Sequence, residues 1–437
     1  MKYFMCSVLI GLSFVGCENP TREQPSPNPA PIRQVPVKPK KSESTLAIES
    51  LEAWLKTPRE GRSAISGQSF AKVGISRADA DRARELLWND RVAHLRESRA
   101  NEMKKRAITI GKHTMRFAYH VYGDKPAEGR SLFISMHGGG GAPKRVNDQQ
   151  WQNQIRLYQP KEGVYVAPRA PTDTWNLWHQ AHIDDLFDRL IENMIVFEDV
   201  NPNRVYIMGY SAGGDGVYQL APRMADRFSA ASMMAGHPNE TSPLGLRNLP
   251  FAIHVGERDA GYKRNTVAKQ FGQKLAALRK NDPDGYVHHV RLHKGKGHWM
   301  DRQDAVAVPW MAKHTRDRLP KEIVWQQDDV THTRFYWLAV APAHAKARAL
   351  VKAGYDGQRI GIKTKDVASI TIRVNDNMMN LDQQIVVAIS GTYVFEGIVK
   401  RTIATLAQTL EERGDRFMMF DAEITVDAGV DPAVQTR

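Results

Sequence analysis

Ser211 sits in Gly209-Tyr210-Ser211-Ala212-Gly213, a G-x-S-x-G pattern that directly follows the apolar run Val205-Tyr206-Ile207-Met208. A short run with β-branched and aromatic members reads as a buried strand, and the pattern then reads as a sharp turn with the serine at its tip. Such a turn strains the serine backbone, so the residues two before and two after it must be small; Gly209 and Gly213 meet that need. A serine raised in this way can attack an acyl carbon. It needs a base to take its proton, a carboxylate to orient the base, and N–H donors for the developing oxyanion. The competing reading of the same residues is a Gly-rich strand-to-helix loop with a solvated serine.

The chain offers candidates for each missing part. His137-Gly138-Gly139-Gly140-Gly141 follows the strand pattern Ser131 to Met136. Glycines there let backbone N–H groups face a bound carbonyl oxygen, and with the Ala212 N–H they would form an oxyanion hole. A phosphate cradle is the alternative use of such a loop, but the lysine and hydroxyl of a P-loop are missing. Asp259 follows the run Phe251 to Val255 through Gly256-Glu257-Arg258. A carboxylate just past the carboxyl end of a parallel strand lies on the ligand side of a sheet; Glu257 is its closest rival. For the base, His298 stands in the Gly-bearing loop Lys294-Gly295-Lys296-Gly297-His298-Trp299. His288, His289 and His293 do not read as a metal cluster, because neighbours on a strand face opposite ways. The chemistry outlined needs no metal and no organic cofactor. Trp175 and Trp178 follow the Val164 strand, where they either line an acyl or aryl pocket or pack a long loop onto the sheet.

The elements that must position these groups alternate. Ile108 to Ile110 and Met115 to Tyr122 form a hairpin about Gly111-Lys112, and further strands are expected at Ser131 to Met136, Val164 to Ala167, Phe251 to Val255 and Val287 to Leu292. Helices are expected at Ile183 to Phe197, Gly213 to Ala221 and Thr266 to Leu278. The pattern predicts an α/β fold, a mostly parallel sheet flanked by helices with an antiparallel N-terminal edge, over residues 107–319. Ahead of it, residues 48–106 read as a helical segment, with Ser76-Arg77-Ala78-Asp79 as a capping start and Leu86, Leu87, Val92 and Leu95 at roughly helical spacing. After Pro320 the texture changes to short strand candidates, among them Thr333 to Val340 and Ile370 to Val374. One helix, about Arg401 to Arg413, is closed by Gly414. A separate, sandwich-like β-rich accessory domain over 320–437 is expected.

The chain order Ser211…Asp259…His298 resembles the α/β-hydrolase superfamily. Within it, the His137 glycine loop, the segment Asn201-Pro-Asn-Arg-Val and Gly256-Glu-Arg-Asp look like secreted bacterial esterases of the polyhydroxybutyrate-depolymerase and feruloyl-esterase type. The resemblance covers roughly Arg106 to Leu319. It implies a nucleophile at Ser211, an acid at Asp259, a base at His298 and oxyanion donors near Gly138, Gly139 and Ala212. The implied activity is hydrolysis of a small-molecule or polymer ester, with the substrate left open. Two features depart from such esterases: Asp215 follows the elbow, where small or apolar residues are usual, and the cysteines that often brace secreted members are absent. Peptide hydrolysis by the same triad is the runner-up, although no propeller repeat precedes the catalytic segment. The third reading is a surface protein that holds a glycan or polymer without catalysis.

The chain's first residues carry an address rather than chemistry. Lys2 and the apolar run Tyr3 to Val15 have the layout of a secretory signal. Phe14-Val15-Gly16-Cys17 resembles the lipobox of bacterial lipoproteins, with Cys17 as the residue that would be lipidated and would tether the protein to a membrane; plain secretion is the alternative. Residues 18–47 are Pro-rich and read as an extended tether. The two cysteines, Cys6 and Cys17, both fall in the signal region, so no disulfide is expected in the mature protein. A chain of 437 residues, 42% of them apolar, can bury more than one core. Its formal charge of +13 would suit anionic polymers or lipid head groups, but the basic residues are interspersed with acids and no DNA- or RNA-binding signature stands beside them, so the excess reads first as solvated surface.

Overall fold

The protein is described here from a computed structural model, which covers Gly16 and residues 41–429. Cys17, the signal-like segment and residues 18–40 of the Pro-rich segment lie outside the described residues. The Pro-rich segment ends sooner than expected. Ser42 caps helix α1 (Glu43–Lys56) by accepting from the Thr45 N–H at 3.1 Å, and α1 buries Ala47, Ile48 and Leu51. The capping start at Ser76 opens α2 (Arg77–Ser98), its hydroxyl accepting from the Asp79 N–H, and α3 (Ala100–Lys105) follows.

The alternation of strands and helices then builds a sheet. In chain order the elements are β1 (Ala107–Ile110), β2 (His113–Tyr122), β3 (Arg130–Met136), α4 (Lys144–Ile155), β4 (Gly163–Arg169), α5 (His182–Phe197) and β5 (Val200–Tyr210). They continue with α6 (Ala212–Arg223), β6 (Ala230–Met234), β7 (Phe251–Gly256), α7 (Arg264–Asn281), β8 (His288–His293) and the short α8 (Ala307–Met311). The sheet order is β1-β2-β4-β3-β5-β6-β7-β8. β2 runs antiparallel to β1 and β4, and the remaining pairs are parallel. Strands covered on both faces must be apolar throughout, and β4 is buried at every position. From β3 the chain moves to β4 on one side, and from β5 to β6 on the other. The loops leaving these two neighbours therefore diverge and open a crevice at their carboxyl ends, where ligands sit in open α/β sheets.

Beyond α8 lie β9 (Glu322–Gln326), β10 (Arg334–Phe335), β11 (Leu338–Ala339), β12 (Leu350–Asp356), β13 (Arg359–Lys365), β14 (Ser369–Val374), β15 (Ile385–Ile389), β16 (Thr392–Gly397), α9 (Ile403–Arg413) and β17 (Ala422–Asp427). They form two sheets, β10-β11-β14-β17 and β16-β15-β13-β12-β9. Gly414 closes α9 in the left-handed conformation (φ 57°). The strands are β-rich as expected, but they do not form a separate body. Ile323, Val351 and Ile362 from one sheet and Leu338, Ile372 and Ile424 from the other enter the same buried core as Phe187 of α5 and Leu220 of α6. Ile403, Leu406 and Leu410 of α9 pack instead with Leu51 of α1 and Leu87 of α2. The described residues from Ser42 onward are one compact unit, so the change at Pro320 is a change of architecture within a shared interior.

Buried ion pairs stitch that interior. Arg316 meets Asp415 at 2.6 Å with both side chains at most 1% exposed, and Arg413 pairs with Asp226. Burial by itself would raise the Asp415 carboxyl, but Arg316 and Arg227 outweigh it and hold it below the ordinary carboxylate value. Burial and Arg413 act on Asp226 in the same opposed way, with the same net lowering. A depressed carboxyl contributes stability that is fully present above its unfolded value of about 4 and is lost as pH falls through its folded value. Arg316→Leu leaves a buried carboxylate without its partner and is expected to cost about 3–5 kcal/mol, whereas Arg316→Leu with Asp415→Leu recovers most of the loss. Urea unfolding at pH 7 measures both variants, and the single variant also loses part of the wild-type dependence on acid.

Candidate active site

Ser211 has φ 57° and ψ −121°, a backbone conformation that residues with a Cβ rarely adopt. A strand and a helix hold it there, since its N–H donates to the Met234 carbonyl of β6 (2.9 Å) and its own carbonyl accepts from the Asp215 N–H of α6 (3.0 Å). The two flanking glycines have no room for a side chain. A Cβ on Gly209 would stand 2.2 Å from the Gly213 carbonyl oxygen, and one on Gly213 would stand 2.2 Å from the Met136 carbonyl oxygen of β3.

The loops after β7 and β8 bring the other two groups to this serine. The Ser211 hydroxyl lies 3.0 Å from His298 Nε2, and His298 Nδ1 lies 2.9 Å from Asp259 Oδ2. Asp259 is only 3% exposed, as an orienting carboxylate should be, while the His298 side chain is 44% exposed at the cavity mouth. Glu257 points elsewhere and accepts from the Gly295 N–H (2.8 Å). The structure therefore brings Ser211, His298 and Asp259 together in one hydrogen-bonded chain and leaves Glu257 out of it.

Tyr210 fixes where the base stands. Its hydroxyl donates to the His298 carbonyl (2.7 Å) and accepts from the Met300 N–H (3.0 Å), so the residue before the serine grips the loop on both sides of Trp299. Sequence reasoning missed this role, because the second position of G-x-S-x-G carries no signal of its own. Misplacing a catalytic group by about 1 Å can cost about a hundredfold. Tyr210→Phe keeps the ring and removes both hydrogen bonds, and kcat is expected to fall by about 10- to 100-fold with KM nearly unchanged. Steady-state kinetics on a soluble ester separates the two parameters.

The glycine loop after β3 lies against the serine from the other side. Gly138 comes so close that a Cβ there would be 3.1 Å from Ser211 Cβ. Gly139 has φ 106°, and a Cβ on it would strike Asn147 Oδ1 at 2.1 Å. Asn147, fully buried on α4, accepts from the Gly140 N–H (2.8 Å) and donates to the Ala142 carbonyl and Asp173, which fixes the loop's path. His137 fixes its start: Nδ1 donates to the Gly138 carbonyl (2.6 Å) and Nε2 accepts from the Ala170 N–H (3.2 Å). Burial pushes the His137 pKa down to about 4, so this ring stays neutral and keeps both bonds at neutral pH. Ala212 is the first residue of α6, where a helix leaves its N–H groups free.

A cavity of about 610 Å³ opens over these groups, lined by Gly138, Gly139, Tyr210, Ser211, His298 and Trp299 and closed by Gln150, Asn153, Gln154 and Leu157 from α4 and its C-terminal end. Neither Trp175 nor Trp178 lines it, so of the two roles open to them from the sequence, lining this cavity is not the one the structure shows. Trp178 is fully buried and donates its indole N–H to the His137 carbonyl (2.9 Å), so it supports the glycine loop from beneath. Trp175 is 66% exposed and packs edge-on against His179 beside Gly140 and Gly141. Asp215, one turn after Ser211, accepts from the His237 N–H (2.6 Å), and burial pushes its carboxyl up to about 6. Among the described residues Glu240, Asp328 and Asp329 place three carboxylates together, but Arg348 already pairs with Asp328 and Asp329.

A mostly parallel sheet, a G-x-S-x-G elbow and a hydrogen-bonded Ser–His–Asp set whose members follow one another along the chain as Ser211, Asp259 and His298 define a site of the α/β-hydrolase type. No family model matches the chain. It is similar to a curated protein named "Putative esterase NocK" from Nocardia uniformis subsp. tsuyamanensis, with 26% identity over 166 residues, 35% of this chain and 48% of that protein. The match thus spans about half the length of that relative. Solved structures similar to the chain include a thermostable esterase (15% identity, 48% of this chain and 62% of the other, TM-score 0.38). Another is LpqC, a poly(3-hydroxybutyrate) depolymerase from Bordetella parapertussis (16% identity, 47% and 86%, TM-score 0.36).

Proposed function

We propose that the protein is a serine hydrolase that cleaves carboxylic esters through an acyl-enzyme on Ser211. The observation that carries this reading is the unbroken chain from the Ser211 hydroxyl through His298 to buried Asp259, facing a cavity whose other wall is the Gly138-Gly139 loop. His298 Nε2 takes the hydroxyl proton as Ser211 Oγ bonds to the ester carbon. The carbonyl oxygen gains negative charge and turns toward the N–H groups of the glycine loop and Ala212. Collapse of this intermediate expels the alcohol, which receives the proton from His298. Water, deprotonated by the same ring, then releases the acid and restores Ser211. Asp259 keeps Nδ1 protonated throughout, so that Nε2 is the free base.

Purified protein assayed against acyl esters, hydroxycinnamoyl sugars and peptide amides tests this. Turnover of one or more esters with amides slower by orders of magnitude is expected; preference for the amides would replace the reading with a peptidase. Export with a lipid on Cys17 is part of the proposal and is supported by the signal-like start and the tether composition. Mass spectrometry of the mature N-terminus tests it, and an unmodified Met1 in the cytosol would overturn it.

A further inference from the structure

The loops that carry Asp259 and His298 are knitted into one surface. The Arg258 N–H donates to the Lys296 carbonyl (2.8 Å), the Glu257 N–H donates to the His293 carbonyl (3.0 Å), and the Glu257 carboxylate accepts from the Gly295 N–H. Lys296 and Asp301 neutralise each other in an ion pair at 2.6 Å, and Asp259 is buried behind His298. Arg258, Lys263, Lys294 and Arg302 are all exposed and make no ion pair among the described residues. Glu257 is exposed as well and its carboxylate pairs with no cation among the described residues, but the positive side chains around it outnumber it.

Two rings stand among these cations. Trp299 is 50% exposed and lines the cavity beside His298; Tyr262 is 79% exposed, with the Arg264 guanidinium 4.8 Å from its ring centre. Both loops also hold strained backbone. Tyr262 and Lys263 have φ of 51° and 58°, and Asp301 and Arg302 have φ of 52° and 62°. Residues with a Cβ avoid this region, and successive pairs of them persist only where the surroundings hold them, most often at ligand sites.

Resting on the ester-hydrolase reading, we infer that this rim recognises a carboxylate-bearing polysaccharide and that the ester cleaved at Ser211 is carried on such a chain. Separate cations spread over two loops suit the repeated carboxylates of a polymer better than one small anion, and they concentrate an oppositely charged substrate at the mouth. Sugar rings present C–H faces that pack on exposed aromatic rings such as Trp299 and Tyr262. A lipid surface would call for a contiguous apolar patch, whereas Tyr262 and Trp299 belong to two different loops that also carry the exposed cations.

The test compares the full-length protein on acetylated polygalacturonate, equally acetylated dextran and p-nitrophenyl acetate. KM on the acidic polymer is expected to be about tenfold or more below that on dextran at low salt, with the gap largely lost in 0.5 M NaCl, a salt level at which the screening length drops to about 4 Å. Arg258→Glu with Lys294→Glu and Arg302→Glu should raise that KM by about tenfold and leave kcat and p-nitrophenyl acetate turnover within about twofold. Equal KM on both polymers, insensitive to salt, overturns the inference even if the triple variant does not fold. A separate measurement, binding of unesterified polygalacturonate to Ser211→Ala protein, stands apart from catalysis. If no ester at all is cleaved, the ester reading fails, and this binding still decides the rim. Capture by phosphatidylglycerol vesicles in place of polygalacturonate would overturn the polysaccharide in favour of a membrane surface.

Discussion

Ser211→Ala lowers kcat on any ester the protein turns over by on the order of 10⁴-fold or more, and His298→Ala does the same, because residues that act as one unit in proton transfer and attack are each indispensable. The geometry leaves no substitute. Among the described residues the Ser211 hydroxyl is the one hydrogen-bonded to a histidine that is itself held by a buried carboxylate, and it stands at the strained tip between β5 and α6. Binding need not suffer, since the cavity wall stays in place, so KM should move far less than kcat. Steady-state kinetics with a chromogenic ester reads both. Near-wild-type turnover by Ser211→Ala would reject the mechanism outright.

The second large effect belongs to the acid. Asp259→Asn keeps the shape of the side chain but presents an amide to His298 Nδ1, which favours the tautomer whose Nε2 carries the proton and cannot act as a base. The expected loss in kcat approaches 10⁴-fold, about 5.5 kcal/mol of transition-state stabilisation. Glu257→Gln is the matched control. Its carboxylate touches only the Gly295 N–H, so a loss within about tenfold, roughly 1.4 kcal/mol, is expected from loosening the loop that leads to His298. The same assay with both variants checks the ranking, and the reverse order would move the acid to Glu257.

That pair also shows where the sequence is silent. Glu257 and Asp259 stand two residues apart after the same strand, and composition does not rank them. The turn does: the Asp259 N–H bonds back to the Gly256 carbonyl (3.0 Å), which swings Asp259 inward and leaves Glu257 in water. The elbow, by contrast, is legible because Gly209 and Gly213 answer a steric demand that no other residue meets. Strand β6 escaped notice because Ala230-Ala231-Ser232-Met233-Met234 lacks the β-branched residues that mark strands. The close packing there leaves little room, since a Cβ on Gly214 of α6 would stand 2.6 Å from the Met234 carbonyl. Helix α4 has no apolar period at all, because its inward face carries Asn147 and Gln154, which serve as hydrogen-bonding groups for the glycine loop and Ser135. The expected strand Thr333 to Val340 is broken into β10 and β11 by Tyr336, whose left-handed backbone (φ 52°) lets its N–H reach buried Asp226. That tertiary bond outweighs the local preference of the run, and nothing in the run itself announces it.

The interior shared by the hydrolase sheet, the C-terminal sheets and α9 has a consequence for modularity. A gene fragment ending at Leu319 would strip Arg413 from Asp226 and Asp415 from Arg316, and would bare the apolar side of α5 and α6 to water. Such a piece cannot circulate as an independent catalytic cassette, joined to other partners by recombination in the way that linker-joined domains are. The residues after Pro320 are therefore inherited together with the triad, and substitutions in β14 or α9 are felt at Ser211 through cooperative unfolding although they touch no substrate.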